Sequence, residues 1–370
     1  MASDLDVEAA EETDAAGGSH TLIMRRDGSG VTSFCPPSHL EKQRNRVRSM
    51  LAVTCTAQSA DDPLSGLTVG DRPDPEVPDG WVRVHLRATA LNHHDLWSLK
   101  GVGLRADQLP MTLGCDAAGT LDDGTEVVVH AVVSDPSWTG DDTLDPKRTL
   151  LSEQHQGTLA EQVVVPARNV LPKPAELSWE EAACLPTAWL TAYRMLFTQA
   201  GLRPGQTVLV QGAGGGVATA AIALARAAGY RVWATSRDEG KRAQAVELGA
   251  HEAFETGARL PARVDAVLET VGKATWSHSM KALRPGGTLV VSGATTGADP
   301  SADLNRLFFL QLRVIGSTMG SRDELRDLLG FVAATGVRPV ISDVRPLSDA
   351  AASFAKLAEG DVFGKLVLTV

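Results

Sequence analysis

Cysteines are few in this 370-residue chain, and none of the four lies in a C-x-x-C pair. A zinc ribbon and a thioredoxin-type redox site each need such pairs, so neither is expected. The spacing does not match a disulfide framework either, and we expect reduced thiols and a cytoplasmic location. Long apolar runs are also absent, because nothing approaches the roughly 18 residues that a membrane helix needs. We therefore expect no membrane association.

Basic residues are outnumbered by acidic ones, and the formal net charge is −10. Proteins that bind nucleic acid usually cluster Lys and Arg to neutralise phosphates, and the sequence shows no such patch. We expect no nucleic-acid partner. The hydrophobic fraction of 43% is ordinary for a globular protein. The length favours two domains, because single cores stop growing at roughly 250–300 residues.

Residues 1–49 differ in composition from the rest of the chain. They open with acidic residues, end with the basic stretch Lys42–Arg46 and show no hydrophobic period. This composition predicts a disordered tail. The alternative is a wrongly assigned start, with Met50 as the true first residue, because the strand-like stretch Leu51–Thr54 follows it at once.

Two kinds of periodicity divide the remaining residues. From Trp81 to Val129, short Val-rich runs alternate with polar residues and turns, which predicts a compact, barrel-like β domain. Ser178–Glu181 has the S-x-x-E form of a capping box and predicts the start of a helix. From Gln206 to Met319, strand-like and helix-like runs alternate, which is typical of a doubly wound parallel sheet. The last residues, Lys365–Val370, return to β character.

A glycine-rich turn at Gly212–Ala218 follows the apolar run Val208–Gln211 and precedes an Ala-rich helical stretch. Glycines let the backbone approach a diphosphate closely, and a helix N-terminus offers free N–H groups and the positive end of a dipole. A glycine run by itself is also typical of ordinary turns. Because this one lies between a strand and a helix of a βαβ unit, we favour dinucleotide binding.

The choice of dinucleotide depends on the end of the next strand, roughly 20 residues further on. An Asp or Glu there usually binds the ribose hydroxyls of NAD. This chain has Ser236 and Arg237 at that place, followed by Lys241, which suits the 2′-phosphate of NADPH. Two alternatives remain: Asp238 is close enough to serve NADH, and the two cations are also compatible with a solvated helix start.

Four motifs together resemble the medium-chain dehydrogenase/reductase superfamily, and within it the quinone oxidoreductase branch. They are Leu91–Asp95, Leu113–Gly119, Leu185–Tyr193 and Gly212–Ala218. They occur in the expected order, and the resemblance covers nearly everything from residue 50 to 370.

The resemblance implies an α/β fold in which a doubly wound Rossmann sheet is inserted in a GroES-like β-barrel catalytic domain. It implies that the catalytic domain comprises residues 50–187 and 321–370, and that residues 188–320 form the NADPH-binding Rossmann domain. Substrate would lie in the cleft between them. The resemblance also implies a homodimer or homotetramer, with pairing through the edge of the Rossmann sheet.

The zinc-dependent members of the superfamily hold a catalytic metal with Cys, His and Cys. The resemblance places these ligands at Asn92, Cys115 and Thr187, and two of the three have lost strong ligand chemistry. The structural-zinc lobe matches residues 134–156, which contain no cysteine. We therefore predict no metal. The alternative is a rearranged site that uses His93, His94, Cys115 and Asp116.

A substrate that delocalises negative charge suits hydride transfer without zinc, because no Lewis acid is then needed to stabilise one oxygen. Quinones and α,β-unsaturated carbonyls have this property. We therefore predict an NADPH-dependent oxidoreductase that transfers a hydride to such a small molecule. The alternatives are a zinc-dependent alcohol dehydrogenase with altered ligands and an NADPH-binding protein without catalytic activity.

The predicted catalytic residues come from two of the motifs. Asn92 is expected to hydrogen-bond the substrate carbonyl, His94 to donate a proton, and Asp95 to lie in the same nicotinamide-facing motif. A structural hydrogen bond is the alternative role of His94. Thr191 is expected to line the cleft. The predicted cofactor-binding residues are Ala213, Gly215, Gly216, Val217, Ser236, Arg237, Lys241, Gly293, Ala294 and Ser317.

Overall fold

The computed structural model describes residues 7–13, 19–25 and 49–370, in two units that divide after Arg48. In the first unit, strands β1 (Val7–Thr13) and β2 (Ser19–Arg25) pair as an antiparallel hairpin. The other residues of the predicted tail lie outside the described residues. The prediction of a disordered tail or a wrongly assigned start therefore stays a prediction.

The second unit contains eighteen strands and nine α-helices among the described residues. The strands are β3 (Ser49–Cys55), β4 (Leu67–Pro73), β5 (Trp81–Ala90), β6 (Met111–Thr112), β7 (Asp116–Leu121), β8 (Glu126–Val129), β9 (Val132–Val133), β10 (Thr149–Leu150), β11 (Gln162–Pro166), β12 (Val170–Pro172), β13 (Thr207–Val210), β14 (Arg231–Ser236), β15 (Glu252–Glu255), β16 (Val264–Glu269), β17 (Leu283–Val291), β18 (Arg313–Gly316), β19 (Ile341–Pro346) and β20 (Lys365–Thr369). The helices are α1 (His93–Leu99), α2 (Trp179–Ala183), α3 (Leu190–Tyr193), α4 (Gly216–Ala227), α5 (Glu239–Leu248), α6 (Lys273–Ala282), α7 (Leu304–Phe309), α8 (Arg322–Thr335) and α9 (Ala350–Glu359).

A mixed sheet with the order β12-β8-β7-β5-β20-β19 forms the main wall of the β domain, and β11 also pairs with β5. The strand pattern is the predicted one: in β11, buried Val163 and Val165 alternate with partly exposed neighbours. The final strand β20 pairs antiparallel with β5, with Val367 opposite Ala90. Residues 81–90 and 365–369 therefore share one sheet.

A six-stranded parallel sheet lies between these two parts in the sequence, with the order β15-β14-β13-β16-β17-β18. Counted within this sheet the order is 3-2-1-4-5-6, the arrangement that binds dinucleotides at the carboxyl ends of the strands. Its central strand β13 is apolar and buried at Val208, Leu209 and Val210, as strands covered on both faces must be. The predicted doubly wound sheet, inserted in a β domain, is confirmed.

A nearly continuous helical segment from α2 to Gln199 connects the two sheets. It starts at the predicted capping box, where the Ser178 hydroxyl accepts the Glu181 N–H at 3.1 Å and the Glu181 carboxylate accepts the Ser178 N–H at 2.9 Å. Two π-helical turns, Leu185–Trp189 and Arg194–Gln199, flank α3. Its buried side chains join one hydrophobic core with residues of β5, β13 and α4.

Two features bear on the expectations from composition. Cys55, Cys115 and Cys184 are buried free thiols, and Cys35 lies outside the described residues. Within the part of the chain that the structure describes, no helix is both long and apolar enough to cross a membrane.

Candidate active site

The glycine-rich turn lies between β13 and α4, at the carboxyl edge of the parallel sheet. Gly212 and Gly214 have positive φ angles of 73° and 145°, which residues with a Cβ rarely adopt. Gly215 is the N-cap of α4, and a Cβ built on it would meet no protein atom within 4 Å. The turn therefore leaves an open cradle in front of the first N–H groups of α4, including those of Gly216 and Val217.

At Gly216, neighbouring side chains leave little room for a Cβ atom. A Cβ at this position would lie 2.8 Å from Cδ of Lys365 and 3.1 Å from Cβ of Ala188. The backbone N–H of Gly364 also donates to the Gly214 carbonyl at 2.8 Å. The glycine-rich turn is therefore in direct contact with the start of β20.

The second strand of the nucleotide fold, β14, ends at Ser236 as predicted. Asp238 accepts the Lys241 N–H at 2.8 Å and so caps α5. Arg237 is exposed, and its guanidinium forms no hydrogen bond or ion pair with the described residues. The Lys241 ammonium instead donates to the Gly360 carbonyl at 2.8 Å. Arg237 and Ser236 are thus the groups best placed for a 2′-phosphate, with Asp238 engaged by the helix.

Three further predicted cofactor residues follow the ends of β17 and β18. Gly293 and Ala294 follow β17, and a Cβ at Gly293 would lie 3.0 Å from the Thr270 carbonyl oxygen. Ser317 follows β18, and its N–H donates to the Val291 carbonyl at 2.8 Å. Its hydroxyl is buried and has no hydrogen-bond partner among the described residues.

The structure therefore brings the predicted cofactor residues to one edge of the parallel sheet. Ala213 differs from the others, because its N–H already donates to the Thr235 carbonyl at 2.7 Å and is not available to a phosphate. The open cradle at Gly215 and the unpartnered Ser317 hydroxyl fit a dinucleotide.

Asn92 is buried at the start of α1, and both functions of its side-chain amide are occupied. Its Oδ1 accepts from the Lys365 ammonium at 2.6 Å, and its Nδ2 donates to Oδ2 of Asp116 at 2.8 Å. An amide engaged in this way has little capacity left for a substrate carbonyl. The structure thus favours a positioning role for Asn92 over the predicted direct contact.

Lys365 completes this arrangement with a side chain that is 2% exposed. Its ammonium donates to Asp116 Oδ2 at 2.9 Å, to Asn92 Oδ1 and to the Leu91 carbonyl at 2.7 Å, which uses all three hydrogens. We call Asn92, Asp116 and Lys365 the lysine cluster. The side chain of His93, beside the cluster, is partly accessible to solvent. Desolvation by the surrounding protein and the positive charge of Lys365 lower the pKa of His93. This combination is typical of a residue that lines a cleft.

Asp95 is fully buried, accepts from two backbone N–H groups and lies 4.0 Å from Nδ1 of His94. Its carboxylate accepts the Asn92 N–H at 2.8 Å and the Gly114 N–H at 3.1 Å. These bonds tie the start of α1 to the loop before Cys115. The structure therefore gives Asp95 a positioning role and no free oxygen with which to meet a substrate.

His94 lies between a buried thiol and a carboxylate. Its Nδ1 is 3.5 Å from Sγ of Cys115, and its Nε2 is 2.9 Å from Oε1 of Glu153. Burial lowers the pKa of His94, but Cys115, Asp95 and Glu153 outweigh this effect and hold the pKa well above its ordinary value. Both ring nitrogens of His94 therefore have protein partners, and the proton-donor role and the structural role of His94 both stay predictions.

Thr191 is 7% exposed and lies on the same face of the helical segment as Thr187 and Met195, at spacings of four residues. Sδ of Met195 accepts from the Ser292 hydroxyl at 3.1 Å, and Ala188 packs near Gly216. This helical face therefore runs from the glycine-rich turn to the loop after β17. Thr191 lies between these two contacts, and its place on the cofactor side of the cleft stays a prediction.

The three positions matched to zinc ligands do not fit a catalytic zinc ion. Asn92 already accepts from an ammonium, which would repel a divalent cation. Burial raises the pKa of the Cys115 thiol, which donates to the Leu151 carbonyl at 3.3 Å, and Thr187 offers only a neutral hydroxyl. Among residues 49–370, no group of three or more His, Cys, Asp and Glu side chains could hold a metal, so the rearranged site is not formed there.

The loop matched to the structural-zinc lobe, residues 134–156, is held by carboxylates. Asp141 caps a turn by accepting the Thr143 N–H at 2.9 Å. Buried Arg194 donates to Asp141 at 2.6 Å and to Glu324 on α8 at 2.7 Å. Asx turns and this ion pair fix the loop against the helical segment that carries Thr191.

Sequence reasoning missed Lys365 and Glu153. Lys365 is 249 residues from Asp116, and its local sequence reads as the exposed first residue of a strand. Glu153 lies in a polar loop and contacts His94 across 59 residues. The local signal available for Lys365 was a charged residue leading an apolar strand, which by itself does not indicate a buried ion pair.

Two family models match the chain: "Alcohol dehydrogenase GroES-like domain" over residues 78–175 and "Zinc-binding dehydrogenase" over residues 216–334. Two curated relatives match over most of their length. The zinc-type alcohol dehydrogenase-like protein YogA of Leptosphaeria maculans is 30% identical over 340 residues, which are 82% of this chain and 94% of that protein. The crotonyl-CoA reductase of Streptomyces avermitilis is 27% identical over 348 residues, which are 78% of each chain.

Solved structures agree with this match. A crystal structure of an NAD-dependent alcohol dehydrogenase superposes with a TM-score of 0.81 at 37% identity, over 87% of this chain and all of that one. The 2-octenoyl-CoA carboxylase reductase CinF, solved in complex with NADP and 2-octenoyl-CoA, superposes with a TM-score of 0.79 at 25% identity, over 90% of both chains.

Proposed function

The chain belongs to the medium-chain dehydrogenase/reductase superfamily of oxidoreductases, and on this basis we propose that it transfers a hydride from NADPH to a conjugated carbonyl compound without catalytic zinc. Bound NADPH supplies the hydride. The observation that carries the proposal is the lysine cluster, in which an ammonium binds the amide at a position where a zinc enzyme needs a metal ligand.

NADPH is favoured over NADH by the end of β14. Ser236 and the exposed guanidinium of Arg237 suit a 2′-phosphate, whereas the nearby carboxylate of Asp238 is occupied by the N-terminus of α5. The structure of CinF with NADP supports the same choice. The backbone N–H groups of Gly216 and Val217 would hold the diphosphate, and Gly293, Ala294 and Ser317 the nicotinamide.

The proposed substrate class follows from residues that do not fit a zinc ion at the three matched positions. A quinone or an α,β-unsaturated carbonyl spreads the charge of the added hydride over several atoms, so positioning and a few hydrogen bonds suffice. Two of the matched proteins, crotonyl-CoA reductase and CinF, carry names that refer to enoyl thioesters, which belong to this class. Enoyl thioesters therefore stand first in the panel to be tested, before free enones and quinones.

Stopped-flow oxidation of bound NADPH against this panel, with a saturated aldehyde and a ketone as controls, tests the proposal. We expect turnover with conjugated substrates, no turnover with the controls, and no effect of a chelator. Metal analysis of the same preparation is expected to find no stoichiometric zinc. Stoichiometric zinc that is lost together with activity would identify a zinc-dependent alcohol dehydrogenase instead, and tight NADPH binding without any turnover a non-catalytic binding protein.

Self-association through the parallel sheet is the second part of the proposal. Strand β18 is the edge of that sheet, and Phe308, Phe309 and Val314 beside it are 60%, 75% and 44% exposed. An edge strand with large exposed apolar side chains suits pairing with a second copy of the chain. Light scattering is expected to show a dimer or tetramer that Phe309→Asp dissociates. A wild-type monomer would contradict this part alone.

A further inference from the structure

We infer that Thr187 is the hydrogen-bond donor for the substrate oxygen, an inference that rests on the proposed reduction of a conjugated carbonyl. Thr187 is only 8% exposed, yet its hydroxyl has no hydrogen-bond partner among the described residues. Buried hydroxyls are nearly always paired, so this exception requires a reason. A substrate oxygen in the cleft supplies the missing partner.

The local backbone explains why the hydroxyl is left without an internal partner. A threonine in a helix commonly donates to the carbonyl four residues earlier. Thr187 lies in the π-helical turn Leu185–Trp189, which departs from α-helical geometry, and no such bond forms. Turns of this kind occur frequently at functional sites. Threonine also populates two χ1 rotamers in helices, so the hydroxyl can turn to the accessible side of the residue.

Three other polar side chains of the site are already occupied. The Asn92 amide binds Lys365 and Asp116, and the Lys365 ammonium uses all of its hydrogens on three oxygens. Both ring nitrogens of His94 face Cys115 and Glu153. The hydroxyl of Thr187 remains as a donor that no protein acceptor satisfies.

The position of Thr187 is also suitable for contact with a substrate that lies beside the cofactor. The next residue, Ala188, packs against the position of Gly216, which in turn contacts the stem of Lys365. Thr187 therefore lies beside the junction of the glycine-rich turn and the lysine cluster. A second buried polar atom of this region, Oδ1 of Asp116, likewise has no partner among the described residues.

The expected role follows from the charge that develops during reduction. When a hydride forms a bond to the β-carbon, the electron pair of the C=C bond moves toward the carbonyl, and its oxygen becomes negative. The Thr187 O–H donates a hydrogen bond to this oxygen and keeps its proton. The α-carbon then takes a proton from water. Loss of one donor to a developing oxyanion typically lowers kcat by about 10²–10³-fold.

The test compares Thr187→Val, Thr187→Ser and Ser353→Ala in the full chain. Valine has the shape of threonine without its hydroxyl, and serine retains the hydroxyl. Ser353 on α9 is a matched control, because it is 1% exposed and its hydroxyl also has no partner. The readouts are kcat and KM with the best substrate of the panel, the Kd of NADPH from fluorescence titration, and the Tm.

We expect Thr187→Val to lower kcat by about 10²-fold, with the NADPH Kd within twofold of wild type and no decrease in Tm. Thr187→Ser is expected to recover most of the activity, and Ser353→Ala to retain all of it. An active wild-type protein with an equally active Thr187→Val variant would overturn the inference alone. A parallel loss of Tm and activity in Thr187→Val would overturn it in favour of a structural role. A wild-type protein that reduces no conjugated carbonyl overturns the proposed function and this inference together.

Discussion

The glycine-rich turn and the lysine cluster face the same junction but are built in opposite ways. The turn is a short continuous stretch, Gly212–Gly216, whose shape is set by positive φ angles and by the absence of Cβ atoms. The lysine cluster joins residues 92, 116 and 365, which come from three strand and helix ends. The turn presents backbone groups to its surroundings. The lysine cluster consists of side chains that only folding brings together.

This difference determines which kind of substitution disrupts each region. A backbone cradle is damaged by adding atoms, because a side chain fills the space that a phosphate needs. A buried polar cluster is damaged by removing atoms, because the remaining charge loses its partner in a medium that solvates it poorly. Variants that add atoms therefore test the glycine-rich turn, and variants that remove atoms test the lysine cluster.

The largest effect is expected from Lys365→Met. The variant leaves the fully buried carboxylate of Asp116 without its cation, which typically costs about 3–5 kcal/mol in the free energy of unfolding. Denaturant titration measures the loss. Lys147, whose side chain is 75% exposed beside Asp135, is the control, and Lys147→Met is expected to change stability little. Adding Asp116→Asn to the first variant should recover much of the loss, and stability close to wild type in Lys365→Met alone would contradict a true ion pair.

Gly215→Val adds atoms to the cradle. The fold tolerates the change, because Gly215 has an ordinary φ of −73° and no protein atom lies near the new Cβ. The valine occupies the place of the diphosphate, so the NADPH Kd should rise at least about 100-fold, or 2.7 kcal/mol. Gly330→Ala in α8, also free of close neighbours, should bind normally and gain up to about 1 kcal/mol in stability. An unchanged Kd in Gly215→Val would place the diphosphate elsewhere.

Arg237→Gln removes a side chain from the cofactor side. We expect the NADPH Kd to rise about tenfold, because a charge-assisted hydrogen bond to a phosphate contributes roughly 1.5–3 kcal/mol. The NADH Kd should not change, since NADH lacks the 2′-phosphate, and it serves as the internal control. Fluorescence titration of both cofactors gives the comparison. An equal rise in the Kd of both cofactors would mean that Arg237 does not contact the 2′-phosphate.

The smallest effect concerns His94, whose pKa lies above its ordinary value despite burial. A raised pKa stabilises the fold fully below the unfolded value of about 6.5, and this stabilisation is lost as pH rises through the raised pKa. His94→Gln should therefore destabilise the protein by about 1 kcal/mol at pH 6 and by less at pH 9. Unfolding titrations at both pH values measure this. The same loss at both would show that the protonated imidazole is not what Glu153 binds.

Local patterns in the sequence were sufficient to predict the main parts of the fold. The capping box at Ser178–Glu181 forms as expected, and the alternation of runs between residues 206 and 319 becomes the parallel sheet. The location of the cofactor residues at one edge of that sheet could also be predicted, because the carboxyl ends of parallel strands meet at one side. Gly215, Ser236 and Ser317 therefore lie at the same edge of the sheet, although three strands separate β14 from β18.

The substrate side could be predicted only in part. The residue types at Asn92 and Thr187 already disfavoured zinc, and the motif predicted that Asn92 hydrogen-bonds the substrate and that Asp95 faces the nicotinamide. In the structure, Asp95 binds backbone N–H groups and Asn92 binds Lys365. Which partner a buried polar side chain takes depends on what else reaches the same space, and a motif carries no information about that.

The sequence by itself therefore determined the β domain, the parallel sheet, the capping-box helix and the glycine-rich turn, because these depend on local periodicity and on allowed backbone angles. Tertiary structure alone decided that the cation of Lys365 lies against Asn92, that Glu153 meets His94, and that the Thr187 hydroxyl is left without an internal partner. The physical reason is that buried electrostatic pairs act through space, over distances in the chain that no local pattern spans.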